Sequence, residues 1–306
     1  MSMAQHPVPL RHTARQRAVA ERTVKTIRRR RVMNGIMTGV VSLAALVTAL
    51  PLLFILFHLV KEGAAALSPY FFTQMPNPPG EAGGGMANAI VGTLIVIGLA
   101  CGIGLPIGIG AGLYLAEFKA TRLANTVRFL ADVLNGLPSI VLGIFAWQFL
   151  VKPLGHFSAL AGGVALAAMM IPMITRTTEE MVRLVPTSLK EAAMALGYSR
   201  ARTAMTVVLR TATAGIVTGV LVAVARIAGE TAPLLFTAFG NQFWSLRLDQ
   251  PIAALPLQIF VYANSPYDDW RRLAWAGSLV LIALVFIISV AARLATRSRV
   301  GAGSHD

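Results

Sequence analysis

A chain of 306 residues that is 56% hydrophobic and only 13% charged, with a mean hydropathy of +0.67, does not have a soluble domain's composition. Soluble domains carry charge on about a quarter of their residues, and this balance belongs instead to a polytopic membrane protein. The net charge of +14 does not argue for nucleic acid, because nine of the 27 Lys and Arg residues fall in residues 1–31, ending in Arg28-Arg29-Arg30-Arg31 just before the first apolar run. Basic residues packed against a span are the expected cytoplasmic, lipid-facing flank.

In chain order, residues 1–32 read as a basic, disordered cytoplasmic arm and 33–60 as a first transmembrane helix. The charged lead is too long and the apolar run too extended for a cleaved signal peptide. Spanning takes about 20 apolar residues, and five further stretches qualify: 88–116, 127–151, 159–181, 211–238 and 273–292. With both termini inside, the inner segments hold 21 of the 27 basic residues and the outer ones 5, Arg226 lying within a span. That asymmetry sets the orientation, with 293–306 as a cytoplasmic tail. The expected fold is an all-α polytopic protein of six transmembrane helices.

The second stretch carries Gly98, Gly102, Gly104, Gly108 and Gly112, with Pro106 among them. Small residues at four-residue spacing permit close helix packing, and the proline allows a kink or a hinge. Cys101 lies in the same stretch; as the single cysteine it excludes an intrachain disulfide and reads as an inert small residue. The third stretch opens "NGLPSIVLGIF", where Pro138 interrupts the backbone near one end. Residues 251–262, "PIAALPLQIFVY", are too short and proline-broken to span, and read as a partly buried or interfacial outer segment.

The inner loop 183–210, "RLVPTSLKEAAMALGYSRARTAMTVVLR", is not turn-like. Pro186 can start a helix, and Leu189, Ala192, Ala193 and Leu196 follow helical spacing. Gly197 then permits a sharp change of direction before a second, basic helix. Such a helix–Gly–helix unit either rests on the membrane or inserts into a cytoplasmic partner.

In the fifth stretch, Arg226 and Glu230 are the only charged residues between Thr213 and Leu235. A charge near the bilayer centre costs on the order of 2.5–3.5 kcal/mol on insertion scales, so it faces protein or water. At i, i+4 the two share a helix face with the small residues Gly219, Ala223, Gly229 and Pro233. The pair either locks two helices by neutralising itself or offers the guanidinium fork to a tetrahedral oxyanion, with Glu230 tempering the attraction. Arg176, beside Thr175, Thr177 and Thr178, is either an ordinary inner flank, an anion contact near the inner exit, or a partner of Glu179 or Glu180.

"EAAMALG" followed by a basic helix resembles the EAA loop of ABC-transporter permeases, matched at Glu191, Ala192, Ala193 and Gly197. The proline that family places after an Ile or Leu near the end of the second helix is absent, Arg210 following Leu209. "NGLPSIVLGIF", "IPMITRTTEEM", "ARIAGETAPLLFTA" and "ALPLQIFVYA" are similar to the phosphate-uptake permeases of the PstA type, within the binding-protein-dependent transport inner-membrane component family. The resemblance runs from about residue 88 onward and implies a type I, MetI-like permease domain over 88–292, with 183–210 as its coupling loop. It implies a subunit of the bacterial inner membrane that imports phosphate. The implied companions are a second permease of the PstC type, a PstB-type ATPase dimer holding ATP and Mg, and an external PstS-type phosphate-binding protein. Arg226, Glu230 and Arg176 become substrate-path candidates, and Glu191, Ala192, Ala193 and Gly197 coupling residues. The residues agree that this chain is no enzyme: it has no P-loop, no Gly-Lys dipeptide and no metal-binding or triad motif. The alternatives are an ABC permease for another oxyanion or solute, and an ATP-independent secondary transporter.

Overall fold

The computed structural model describes residues 11–118 and 121–301, with side chains described at 27, 29–118 and 121–294. The chain divides into two compact units, residues 1–58 and 59–306.

The first unit is made by helix α1 (Arg11–Ala66), which continues into the second. Residues 1–10 of the expected disordered arm lie outside the described residues, but 11–32 are helical. The correction has a local cause: the segment is rich in Arg, carries several Ala and holds neither Gly nor Pro, so helix propensity carries it into the span. Over residues 33–57 the helix is mostly apolar on all sides, with Phe54 and Phe57 each 70% exposed. That pattern suits a lipid-surrounded span.

The second unit contains, after the end of α1, α2 (Pro69–Thr73), α3 (Ala87–Glu117), α4 (Arg122–Gly136), α5 (Ser139–Leu154), α6 (Ala159–Arg183), α7 (Thr187–Ala195), α8 (Arg200–Ala228), α9 (Ala232–Thr237), α10 (Leu255–Ala263) and α11 (Asp268–Gly301). Single π turns interrupt α5 at Trp147–Val151 and α8 at Ala204–Val208. No strand occurs among the described residues; a lone bridge joins Phe239 to Ile252. Among the described residues five helices are long and apolar enough to cross a membrane, or six if the bent pair α4–α5 is counted as one span.

The contact between α3 and α6 is the spine. Gly104 meets Met170, Gly108 meets Ile174 and Gly112 meets Thr178, so one face of glycines lets the two backbones approach closely. Gly98 and Gly102 have no such neighbour within 4 Å. Pro106 does not end α3. Apolar burial falls into three clusters along the unit. The middle one includes Val96, Leu166, Met170 and Ile227; another, around Phe71, Met86, Leu255 and Tyr262, lies at the start of α3; a third, around Ala116, Val182, Val208 and Ile216, lies at its end.

Two expected spans differ from the structure. The third, 127–151, is a pair of helices meeting at 106°. Pro138 cannot donate to the helical ladder and holds Leu137 extended, so the chain turns there. The fifth, 211–238, stops at Ala228, and α9 begins only at Ala232. Gly229 and Pro233 flank the interruption. The sixth helix runs past 292 through Gly301, so part of the expected tail is helical. The segment 251–262, expected to be partly buried or interfacial, is largely buried, with Leu255, Leu257 and Tyr262 in the core.

Candidate transport path and coupling loop

Glu179, on the last turns of α6, is 1% exposed. A carboxylate at such depth needs several donors. It receives Arg128 Nε at 2.7 Å, Arg183 Nη2 at 2.5 Å and Arg176 Nη1 at 3.1 Å. Arg176 and Arg183 lie one turn either side of Glu179 on α6, whereas Arg128 comes from α4. On α4, Arg128 and Asp132 are four residues apart on the face that carries buried Ala124 and Ala131, and these small residues let that face lie against α6. Asp132 takes both Nε and Nη2 of Arg176, a bidentate pair. Arg128 also donates Nη2 to the Leu115 carbonyl of α3 at 2.7 Å and Nη1 to Asn125 at 3.1 Å. Three guanidinium groups thus face two carboxylates, and one positive charge is left over. Arg176 keeps 30% of its side chain exposed.

Arg176 is therefore a partner of Glu179, as one of its three sequence readings had it, and of Asp132, which none did. The roles of Arg128 and Asp132 went unnoticed in the sequence, and Glu179 was considered only as a partner of Arg176. The available signal was the i, i+4 spacing of Arg128 and Asp132 in an amphipathic stretch. Arg128 was counted only among the basic residues of the inner segments.

Arg226 and Glu230 do not share a helix face. Arg226 sits in the last turn of α8, the helix ends at Ala228, and Glu230 follows it, its N–H donating to the Ile227 carbonyl at 3.2 Å. Among the described residues no ion pair joins the two. Arg226 is exposed, Glu230 half-buried. The Arg226 guanidinium reaches Met173 Sδ on α6 at 3.8 Å. Met173 lies one turn from Arg176, so both arginines approach the same stretch of α6. Gly215 and Gly219 on α8 face Met181 and Thr177 of α6, which makes this helix contact close as well.

The loop 183–210 is the expected helix–Gly–helix unit. Pro186 precedes α7, and Gly197 adopts φ +86° to end it. The Tyr198 N–H reaches the Ala193 carbonyl and the Gly197 N–H the Met194 carbonyl, a Schellman closure that requires the left-handed residue. Ser199 caps the start of α8 by accepting from the Arg202 N–H, and Arg202 lies over the Tyr198 ring. Of the expected apolar stripe only Ala193 is buried; Leu189, Ala192 and Leu196 are exposed, Leu196 by 82%, and so is Glu191. Lys190 pairs with Glu117 at the end of α3.

At the opposite end of the unit, Phe239 (φ +60°) and Gly240 (φ +82°) turn the chain into an exposed loop bearing Phe243 and Trp244. There the Arg247 guanidinium grips Asp249 at 3.1 and 2.7 Å and holds its carboxyl below the ordinary carboxylate range.

Residues 104–300 match the family described as binding-protein-dependent transport system inner membrane component. The chain belongs to that family. Within it, the chain is 49% identical over 244 residues to the phosphate transport system permease protein PstA of Yersinia pestis, covering 79% of this chain and 83% of that one. It is 46% identical to PstA of Haemophilus influenzae, covering 87% and 94%. It is 36% identical to a probable PstA of Methanocaldococcus jannaschii, covering 89% and 96%. Among solved structures, a chain of the MetNI methionine ABC transporter in an inward-facing conformation matches with a TM-score of 0.55 at 21% identity, over 69% of this chain and 92% of that one. A chain of a bacterial ABC transporter for alginate import matches with a TM-score of 0.52 at 14% identity, over 70% and 79%. The fold is the MetI-like ABC permease fold. As a binding-protein-dependent transport component, the chain is a multi-pass transport subunit of the membrane.

Proposed function

We propose that this chain is the membrane permease subunit of an ATP-driven importer of inorganic phosphate, forming half of the translocation path. The 49% identity to a PstA protein over most of both chains carries the substrate assignment. The exposed Leu189 and Leu196 on a helix–Gly–helix unit support a docking role for residues 183–210. A partner supplies ATP and Mg to the machine, because this sequence has no P-loop. The partners are a second permease of the PstC type, a PstB-type ATPase dimer seated on the 183–210 unit, and an external PstS-type phosphate-binding protein. Both termini lie in the cytoplasm, in keeping with the 21-to-5 distribution of basic residues.

On this reading Arg226 is the main anion contact, Glu230 modulates it from beyond the helix end, and Arg176 waits nearer the inner exit. Asp132 and Glu179 offset most of the positive charge at Arg176. A path that binds its ion too well cannot release it.

The test is purification of the tagged chain from native membrane, identification of its companions, and labelled-phosphate uptake by the reconstituted assembly. Co-purification of an ATPase and ATP-dependent phosphate uptake are expected. Uptake by the chain alone in liposomes points to a secondary transporter, and equal uptake of another oxyanion removes the phosphate assignment.

A further inference from the structure

The helix α7 has one buried residue, Ala193, so apolar packing holds it only lightly to the rest of the unit. Its covalent connections are a proline at one end and Gly197 at the other, and a push on α7 could be spent in rotation about them. A side-chain ion pair opposes this. Lys190 donates to Glu117, the last residue of α3, from a position off the exposed apolar stripe. The two side chains are only 21% and 32% exposed, and Met194, Arg200 and Thr203 line the small crevice beside them. Partial burial makes such a pair less subject to screening than an open surface pair.

The contact does not end at Glu117. Two residues earlier in α3, the Leu115 carbonyl accepts from Arg128, and Arg128 donates to Glu179. Glu179 in turn holds Arg176. Two sets of polar contacts, joined by the backbone of the last turn of α3, thus lead from α7 to the charge cluster that joins α4 and α6.

We propose that the Lys190–Glu117 pair is the strut that carries displacement of α7 into α3 and from there to the charge cluster. The inference rests on the reading that residues 183–210 engage an ATPase. Lys190 and Glu117 are positioning residues, since neither touches the anion. Without the pair, α7 moves with its ATPase but the spans follow poorly, so ATP is hydrolysed with less phosphate moved.

Adjacency alone does not establish such coupling; a double-mutant cycle does. In the complete importer in proteoliposomes, phosphate moved per ATP hydrolysed is measured for K190E, E117K and the double reversal. Each single reversal is expected to lower that ratio about fivefold, and the double to return it to within about twofold of the parent, as contacting residues couple. Should a reversed chain fail to assemble, K190M, E117Q and their combination serve the same cycle, the combination being no worse than either single change. Unchanged ratios in the single variants, or effects that simply multiply in the double, overturn the strut. A parent assembly that transports without any ATPase overturns the underlying reading instead, so the two failures are told apart.

Discussion

Replacing Gly112 with alanine probes the closest point of the α3–α6 contact. A Cβ there would lie 2.5 Å from Thr178 Cβ, 2.6 Å from the Thr175 carbonyl oxygen and 3.0 Å from the Glu179 nitrogen. Carbon atoms in contact rest at about 3.5–4.0 Å, so relief takes about 1 Å of separation. Two of the three obstructing atoms are backbone in the interior of α6, and no rotamer change provides that relief. The last turns of α3 must therefore move, and the Leu115 carbonyl with them. A 1 Å shift along the 2.7 Å bond from Arg128 to that carbonyl would take it past the usual limit of about 3.2 Å. Overpacking of this kind costs about 1–3 kcal/mol. The lost bond adds about 1 kcal/mol, and the better helix propensity of alanine returns about the same. The expected net destabilisation is about 1–3 kcal/mol. Gly110→Ala is the matched control, since nothing lies within 4 Å of its added methyl. It should be neutral or stabilise by up to about 1 kcal/mol. Thermal unfolding of the purified chain in detergent measures both. If Gly112→Ala unfolds at or above the temperature of Gly110→Ala, the helices do not approach as described and the reasoning fails.

Three further outcomes follow from the same geometry. Glu179→Gln removes the charge that three guanidinium groups share, and should destabilise the chain by about 3 kcal/mol, whereas Asp132→Asn, at a half-exposed site, should cost about 1 kcal/mol or less by the same unfolding assay. Arg226→Lys keeps the charge but loses the planar fork, so the half-saturating phosphate concentration for uptake should rise about tenfold, with Arg226→Ala worse still; unchanged uptake in both removes Arg226 from the path. Gly197→Val forces a branched residue to φ +86° at a cost of about 1–3 kcal/mol and should reduce ATPase recovery on co-purification, while Gly197→Asn, which tolerates that conformation, should largely preserve it.

The spans were legible because the bilayer demands long apolar runs, and α3 and α6 fall within two residues of the expected limits. The helix–Gly–helix unit was legible because Pro186 and Gly197 act locally, each dictating its own backbone geometry. The charge cluster was not, because Arg128 and Glu179 are 51 positions apart and only the packing of α4 against α6 brings them together. The end of α8 was missed for a different reason. The break holds only Gly229, Glu230 and Thr231, and three residues barely lower a hydropathy average taken over a whole span. That miss altered the site, since the i, i+4 pairing of Arg226 with Glu230 presumed an unbroken helix.

The early end of α8 also changes the charge that Arg226 presents. Helical peptide dipoles add up to roughly half a negative charge at a C-terminus. Arg226 stands in that last turn, with the Arg226 and Ile227 carbonyls already bent to the Gly229 N–H. An anion reaching the guanidinium therefore meets a cation already partly compensated by the helix on which it stands. The compensation is built from backbone and does not depend on a neighbouring acid. If Arg226 contacts the anion as proposed, the helix end at Ala228, and not Glu230 alone, would set how firmly that anion is held.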